Sequence, residues 1–265
     1  MAMPTHRQSF TVALTCISRG LILRDRILGW TGNGRRGHAP DLSVSVHAIR
    51  SGSNLLDAVF VESTNVPAQA ALLLCHGIGE TVDHWFPVQR LLAENGVASL
   101  LFDFSGYGKS TGRVDWSQFE DDAIAAFADV QRLAPALPAS VLGFSLGSGI
   151  AAAIVNRVPA NRLVLCAAFT SFRDAARSVG IPARLSPLVP PIWSAQESLR
   201  GCVLPVLVVH GEKDSLFPVR MARELVACCG PNATLIVVPD TAHNQPFRKP
   251  QLSYWGPIVS HLVSR

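Results

Sequence analysis

Short apolar blocks alternate along the chain with longer segments whose apolar positions repeat at helical spacing. The blocks predict eight strands, at about residues 42–49, 55–62, 70–75, 97–102, 140–142, 162–166, 206–210 and 234–238. The segments between them predict helices at about 84–95, 117–133, 146–157, 218–229 and 250–263. This alternation is typical of an α/β fold with a mostly parallel sheet and helices on both faces.

Two stretches depart from that pattern. The first two strands flank the turn sequence of residues 51–54, which predicts an antiparallel hairpin. Residues 171–200 hold several prolines around Trp193 and predict a short irregular or helical excursion, a possible short cap over the sheet. We therefore expect a basic arm and linker over residues 1–40 and one folded domain over residues 41–265.

Composition and charge narrow the possible classes of protein. The chain has 265 residues, 48% of them hydrophobic, so it can bury a large core. Its longest apolar stretches are too short to span a bilayer, and we expect no transmembrane segment. Residues 1–50 contain seven arginines and two aspartates, while the net charge of the whole chain is +4. The excess positive charge thus belongs to the arm, which allows peripheral membrane contact, and the domain is not expected to bind nucleic acid.

The six cysteines carry no metal-binding pattern. They lie at positions 16, 75, 166, 202, 228 and 229, without Cys-x-x-Cys pairs or histidine clusters at zinc-ligand spacing. We therefore expect no metal site. Reduced thiols favour a cytoplasmic location, although the arginine-rich, acid-poor start of the chain leaves organelle targeting or membrane association open.

A candidate nucleophile lies between a predicted strand and a predicted helix. Gly143-Phe144-Ser145-Leu146-Gly147 follows an apolar run and precedes a helix start rich in small residues. A serine on such a turn exposes its hydroxyl, and the flanking glycines allow close approach of the neighbouring backbone. The next N–H, that of Leu146, would lie at a helix N-terminus and could stabilise an oxyanion. An ordinary helix N-cap is the alternative interpretation of Ser145.

A serine nucleophile needs a base and an acid, and both follow in the chain. Asp214 comes after the strand at 206–210, and His243 comes after the strand at 234–238. Loops beyond the carboxyl ends of parallel strands share one edge of the sheet, so the three side chains can converge there. Glu212 and Asp240 are alternatives for the acid, but we expect Asp214 to have this role because it lies further beyond the strand end, with room to reach across.

Two further histidines have structural interpretations. His76-Gly77-Ile78-Gly79 follows a strand and forms a glycine-rich turn that could supply the N–H of Ile78 as a second oxyanion donor. His76 is then expected to hold loop carbonyls. His210, at a strand end, is expected to support the loop that carries Asp214.

The chain resembles the α/β-hydrolase fold family over about residues 42–265. The resemblance rests on five motifs in order, namely His76 to Gly79, Asp103 to Ser110, Gly143 to Gly147, His210 to Asp214, and His243. Within the family the chain is most similar to the serine-aminopeptidase-like and monoacylglycerol-lipase-like branch, which includes small acyl-thioesterases. The resemblance implies an eight-stranded α/β-hydrolase sheet and a Ser/Asp/His hydrolase that needs no cofactor.

Three hypotheses about function follow. The first is a serine esterase that cleaves carboxylic esters of small to medium acyl chain through an acyl-enzyme. The second is an acyl thioesterase or lipase, acting on protein or lipid at a membrane surface with help from the basic arm. The third is a non-catalytic binding protein with a hydrolase fold. An aminopeptidase would also need an acidic anchor for the substrate amine, and the sequence identifies none.

Overall fold

Eight strands form one sheet in the protein, whose computed structural model describes residues 40–264. The predicted basic arm lies outside the described residues except for residue 40. The strands are β1 (Leu42–Ser51), β2 (Asn54–Ser63), β3 (Ala70–Cys75), β4 (Val97–Phe102), β5 (Ala139–Phe144), β6 (Leu163–Cys166), β7 (Val206–Gly211) and β8 (Ala233–Val238).

The sheet order is β1-β2-β4-β3-β5-β6-β7-β8. Strand β2 pairs antiparallel with both β1 and β4, and the remaining pairs are parallel. The predicted opening hairpin, the mostly parallel eight-stranded sheet and the α/β class are confirmed. Strand β5 extends two residues further than expected, because Gly143 pairs with Cys75 and Phe144 pairs with Cys166.

Helices cover both faces of the sheet, as expected. They are α1 (Val82–Glu94), α2 (Phe119–Leu133), α3 (Leu146–Ile154), α4 (Phe172–Ser178), α5 (Ala195–Leu199), α6 (Val219–Cys229), α7 (Gln245–Arg248) and α8 (Leu252–Val263). One apolar core contains side chains of α2, α3 and α6, and a second contains those of α1 and α8. The central strands β3, β4 and β5 are buried along their whole length, which is typical of parallel strands covered on both faces.

Residues 171–200 form the short helical excursion that the sequence predicted. Helices α4 and α5 begin after Ser171 and Ser194, whose hydroxyls accept the N–H of Asp174 and of Glu197 respectively. A 3-10 turn, Ala183–Leu188, lies between them. Trp193 fixes this segment to the domain, because its buried ring stacks on Phe119 with centroids 6.2 Å apart. We call residues 171–200 the cap segment; its role as a cover stays a prediction.

Membrane-spanning helices and metal-binding clusters are absent from the part of the chain that the structure describes. None of the helices over residues 40–264 is long and apolar enough to cross a membrane. Within the same range, no group of three or more histidine, cysteine, aspartate or glutamate side chains is arranged to hold a metal ion. Its five cysteines, at positions 75, 166, 202, 228 and 229, are free thiols.

Candidate active site

Ser145 lies on a strained turn between β5 and α3. Its backbone angles are φ 52° and ψ −117°, a conformation that non-glycine residues rarely adopt. Holding a serine there costs on the order of 1–3 kcal/mol, and such strain persists only where the surrounding packing enforces it. The turn matches the strand–turn–helix geometry that the sequence predicted. The serine is buried there, not exposed as the sequence predicted.

The two glycines that flank Ser145 have no room for a side chain. A Cβ atom on Gly143 would lie 2.2 Å from the carbonyl oxygen of Gly147. A Cβ atom on Gly147 would lie 2.0 Å from the carbonyl oxygen of Cys75, at the end of β3. Close backbone packing therefore requires glycine at both positions, as the sequence pattern predicted.

A continuous line of hydrogen bonds joins the three predicted side chains. The distance from Ser145 Oγ to His243 Nε2 is 3.0 Å, and that from His243 Nδ1 to Asp214 Oδ2 is 2.7 Å. The three residues come from the loops after β5, β7 and β8, and each is buried. The carboxylate selects the tautomer with a proton on Nδ1, so that Nε2 can accept the hydroxyl proton.

The loop after β7 fixes the Asp214 carboxylate. Its Oδ1 accepts the N–H groups of Leu216 and Phe217, both at 2.9 Å. Burial raises the pKa of Asp214, but the hydrogen bond and positive charge of His243, together with the Phe217 N–H, outweigh it and hold that pKa below its usual value. The side chain is therefore a carboxylate at neutral pH.

The two acids considered as alternatives to Asp214 have other partners. Asp240 is exposed and forms an ion pair with Lys213 at 2.6 Å, while Glu212 accepts the backbone N–H of Asp240. His210 Nε2 donates to the carbonyl of Phe217 at 2.8 Å, so it supports the Asp214 loop as expected. Of the three acids considered, the structure brings Asp214 to His243.

The two predicted oxyanion donors follow adjacent strands. Ile78 belongs to the turn from Gly77 to Glu80 after β3, and Gly79 adopts the positive φ of 76° that suits the third position of a type II turn. Leu146 is the first residue of α3, where the helix dipole favours negative charge. Neither N–H has a hydrogen-bond acceptor among residues 40–264. Their role as oxyanion donors stays a prediction.

A buried histidine and a buried aspartate, His76 and Asp103, lie beside the turn that contains Ile78. His76 Nδ1 donates to the carbonyl of Gly77 at 2.8 Å, which agrees with its predicted structural role. Its Nε2 lies 3.9 Å from Asp103 Oδ1 and has no hydrogen-bond partner within the described part of the chain. Burial lowers the pKa of His76 to about 4 and raises that of Asp103 to about 7.

Glu80 and Asp103 have contacts that sequence reasoning did not assign. Glu80 Oε2 accepts the N–H of Gly77 and the indole N–H of Trp85, both at 2.7 Å. Asp103 Oδ1 accepts the N–H of Val82 at 2.8 Å. The available signals were an acid directly after a glycine-rich turn and an acid directly after a buried strand.

Aromatic rings enclose the histidine of the hydrogen-bond line. The His243 ring lies 5.6 Å from that of Phe144 and 5.3 Å from that of Phe217, centroid to centroid. The ring of Phe217 in turn lies 5.5 Å, centroid to centroid, from that of Phe169, which directly precedes the cap segment in the chain. Such packing limits the positions that the imidazole can occupy.

Known proteins match this chain in sequence. Residues 66–193 match the family model described as serine aminopeptidase, S33. The lysophosphatidylserine lipase ABHD12 of Macaca fascicularis is 27% identical over 195 residues, which cover 66% of this chain and 49% of that protein. An uncharacterized protein of Mycobacterium tuberculosis is 30% identical over 180 residues, which cover 66% of this chain and 63% of that protein. The chain thus spans about half to two thirds of the length of these curated relatives.

Solved structures share the fold. The Pyrococcus furiosus esterase Pf2001 superimposes with a TM-score of 0.68 at 20% identity, covering 85% of this chain and 93% of that one. A soluble variant of monoglyceride lipase from Saccharomyces cerevisiae gives a TM-score of 0.62 at 15% identity, covering 81% and 92%. With the sheet order and the strained turn at Ser145, these matches show that the chain has the α/β-hydrolase fold.

Proposed function

We propose that the chain is a serine hydrolase that cleaves carboxylic esters of small to medium acyl chain through an acyl-enzyme. The hydrogen-bond line from Ser145 through His243 to Asp214 carries this proposal. Its three members have the roles of nucleophile, base and orienting acid. The names of similar proteins, which include an esterase and a lipase, support ester chemistry.

The first half of the reaction forms the acyl-enzyme. His243 Nε2 takes the proton of Ser145 Oγ as the oxygen attacks the ester carbonyl carbon. The N–H groups of Ile78 and Leu146 donate to the oxygen that becomes negatively charged. The tetrahedral intermediate then collapses, the ester C–O bond breaks, and His243 gives the proton to the leaving alcohol.

Water completes the cycle by the same steps. His243 removes a proton from water, the hydroxide attacks the acyl carbon, and the Ser145 oxygen leaves with the proton returned by His243. Asp214 holds the imidazole in the productive tautomer and stabilises the imidazolium in both halves. The lowered pKa of Asp214 supports this role, since a neutral carboxyl could not stabilise the cation.

The packing of the cap segment supports a preference for substrates with a short or medium acyl group. Trp193 packs so closely on α3 that a Cβ atom on Gly149 would lie 2.9 Å from the Cβ of Trp193 and 2.6 Å from Phe169 Cζ. The segment is thereby fixed to the helix that begins after Ser145. We infer that a segment fixed to this helix covers the site and leaves less room for a long acyl chain than an open rim would.

A lipase or thioesterase is the second candidate. Several curated relatives are named lysophosphatidylserine lipase, and the cap segment exposes the apolar side chains of Val179 and Leu185. Hydrolysis of a lipid ester or an acyl thioester in vesicles, at a rate above that of the soluble esters, would favour this candidate. Weakening by salt would add support for contact through the basic arm.

Turnover of p-nitrophenyl esters from acetate to palmitate tests the proposal. The matched control is Ser148→Ala, because Ser148 is a buried serine three residues away whose hydroxyl donates to the carbonyl of Ser145. We expect an optimum at short or medium acyl chains, a loss of about 10⁵–10⁶ in kcat for Ser145→Ala, and kcat within about tenfold of wild type for Ser148→Ala. Full activity in Ser145→Ala would contradict the proposal. So would a wild type that turns over no ester or thioester, and that result would favour a binding protein.

A further inference from the structure

The backbone on both sides of Gly77 is held by hydrogen bonds. Its carbonyl oxygen accepts from His76 Nδ1 at 2.8 Å and from the N–H of Glu80 at 3.4 Å. Its N–H donates to Glu80 Oε2 at 2.7 Å. Both peptide groups that meet at Gly77 are therefore fixed, and with them the direction of the chain into Ile78.

The Glu80 side chain is anchored in the core. It is 7% exposed, and the oxygen that accepts from Gly77 also accepts the indole N–H of Trp85 at 2.7 Å. Trp85 is fully buried and packs on Phe144 and Trp255. The carboxylate also packs closely on Gly77. A Cβ atom added at Gly77 would lie only 2.6 Å from Glu80 Oε1.

Fixing Gly77 also fixes the N–H of Ile78. The carbonyl of Gly77 and the N–H of Ile78 belong to one planar trans peptide group, in which the two point in opposite directions. A change in the orientation of the carbonyl therefore turns the N–H by the same angle. A misplacement of about 1 Å at a reacting centre can cost about 100-fold in rate.

We propose that Glu80 is a positioning residue for the oxyanion hole: its carboxylate holds the Gly77 backbone so that the N–H of Ile78 points to the substrate oxygen. This inference rests on the proposed function, in which Ile78 is an oxyanion donor. The role is geometric, because a negative charge near a developing oxyanion is unfavourable by itself. What the site needs from residue 80 is a hydrogen-bond acceptor of the right length.

Substitutions of Glu80 can separate the effect of the hydrogen-bond acceptor from that of the negative charge. Glu80→Gln keeps an oxygen acceptor and removes the charge, whereas Glu80→Ala removes the acceptor. Glu80→Met also removes it but keeps most of the side-chain volume. Asp122→Ala is the matched control, because the fully buried Asp122 carboxylate likewise accepts a backbone N–H, that of Ser105 at 2.8 Å, in a different loop.

The experiment measures kcat and KM for a short p-nitrophenyl ester, together with the inhibition constant of a trifluoromethyl ketone. The ketone forms a serine adduct whose oxyanion occupies the hole. We expect Glu80→Ala and Glu80→Met to lose about 10- to 100-fold in kcat and in ketone affinity, with KM within about threefold. Glu80→Gln and Asp122→Ala should remain within about threefold of wild type in kcat and ketone affinity. Urea unfolding of each variant shows whether it is folded.

Several outcomes would overturn the proposal. One is wild-type kcat and ketone affinity in a folded Glu80→Met or Glu80→Ala. Another is a loss in Glu80→Gln as large as that in Glu80→Met, since the charge would then be required. A third is an equal loss in Asp122→Ala, which would indicate general destabilisation. Failure of the proposed function is distinct from all of these, because the wild type itself would then neither turn over the ester nor bind the ketone.

Discussion

Two groups of histidine and carboxylate lie at the same edge of the sheet and differ in what the ring nitrogens contact. His243 bonds Asp214 through one nitrogen at 2.7 Å and Ser145 through the other at 3.0 Å. His76 uses one nitrogen to hold the carbonyl of Gly77, and its other nitrogen lies 3.9 Å from Asp103. Both histidines are buried and both follow strands of the sheet.

The difference shows that a histidine close to an acid does not by itself make a proton-transfer site. At 3.9 Å the contact between His76 and Asp103 is not a hydrogen bond, and burial favours the neutral form of each. At 2.7 Å the Asp214 carboxylate stays ionised and bonds an imidazole that faces a serine. We infer that the first group holds backbone and the second moves protons.

Replacing the acid in each group should give the largest contrast. Asp214→Asn is expected to lower kcat by about 10⁴, because an amide at this position favours the wrong imidazole tautomer. Asp103→Asn should cost less than about tenfold in kcat. Steady-state kinetics on a short p-nitrophenyl ester measures both, with Glu212→Gln as a control on the Asp214 loop. Equal losses in the two asparagine variants would remove the distinction between the groups.

The pH dependence of stability should distinguish the groups next. Asp103 keeps its proton up to about pH 7 in the folded protein, compared with 3.8 for an unperturbed aspartate. The folded protein then binds more protons than the unfolded chain across this window, so Asp103 makes stability fall as the pH rises. Asp103→Asn should therefore raise the free energy of unfolding relative to wild type increasingly from about pH 4 to about pH 7. The gain is about 1.4 kcal/mol for each unit by which the pKa of Asp103 is displaced.

His76 makes the opposite contribution in the same window. Its pKa is lowered to about 4 from 6.5, so it makes stability rise with pH between these values. The two contributions partly cancel in the wild type, and Asp103→Asn should expose that of His76. Urea unfolding at a series of pH values measures the difference in the free energy of unfolding between variant and wild type. A difference that stays constant between pH 4.5 and pH 7.5 would contradict this assignment.

The smallest effect is expected outside both groups. Asp240 lies three residues before His243, yet its carboxylate is exposed and pairs with Lys213. Exposed ion pairs contribute little to the free energy of unfolding. Asp240→Ala should therefore keep kcat within about twofold of wild type and leave the urea midpoint nearly unchanged. A loss comparable to that of Asp214→Asn would mean that Asp240 orients the base.

Much of this arrangement was predictable from the sequence, because it depends on local patterns. The apolar blocks predicted all eight strands, and Gly143 and Gly147 predicted the turn at Ser145. The order of Asp214 and His243 along a parallel sheet predicted that they could meet Ser145, since loops after such strands share one edge.

The remaining features depend on contacts between distant segments. The spacing of residues favours Asp214 over Glu212, but the hydrogen bond to His243 itself depends on the direction of each side chain in its loop. The two hydrogen bonds to Glu80 depend on the packing of α1 against the turn after β3. The conformation of the cap segment depends on where Trp193 meets α3. Local sequence patterns do not determine contacts of this kind.

The most direct test of the central claim is the site of reaction with a fluorophosphonate probe, read by intact mass and peptide mapping. We expect one adduct per chain, on the hydroxyl of Ser145, in the wild type and in Ser148→Ala, and none in Ser145→Ala. An unlabelled wild type, or equal labelling of Ser145→Ala, would contradict the claim that Ser145 is the nucleophile activated by His243.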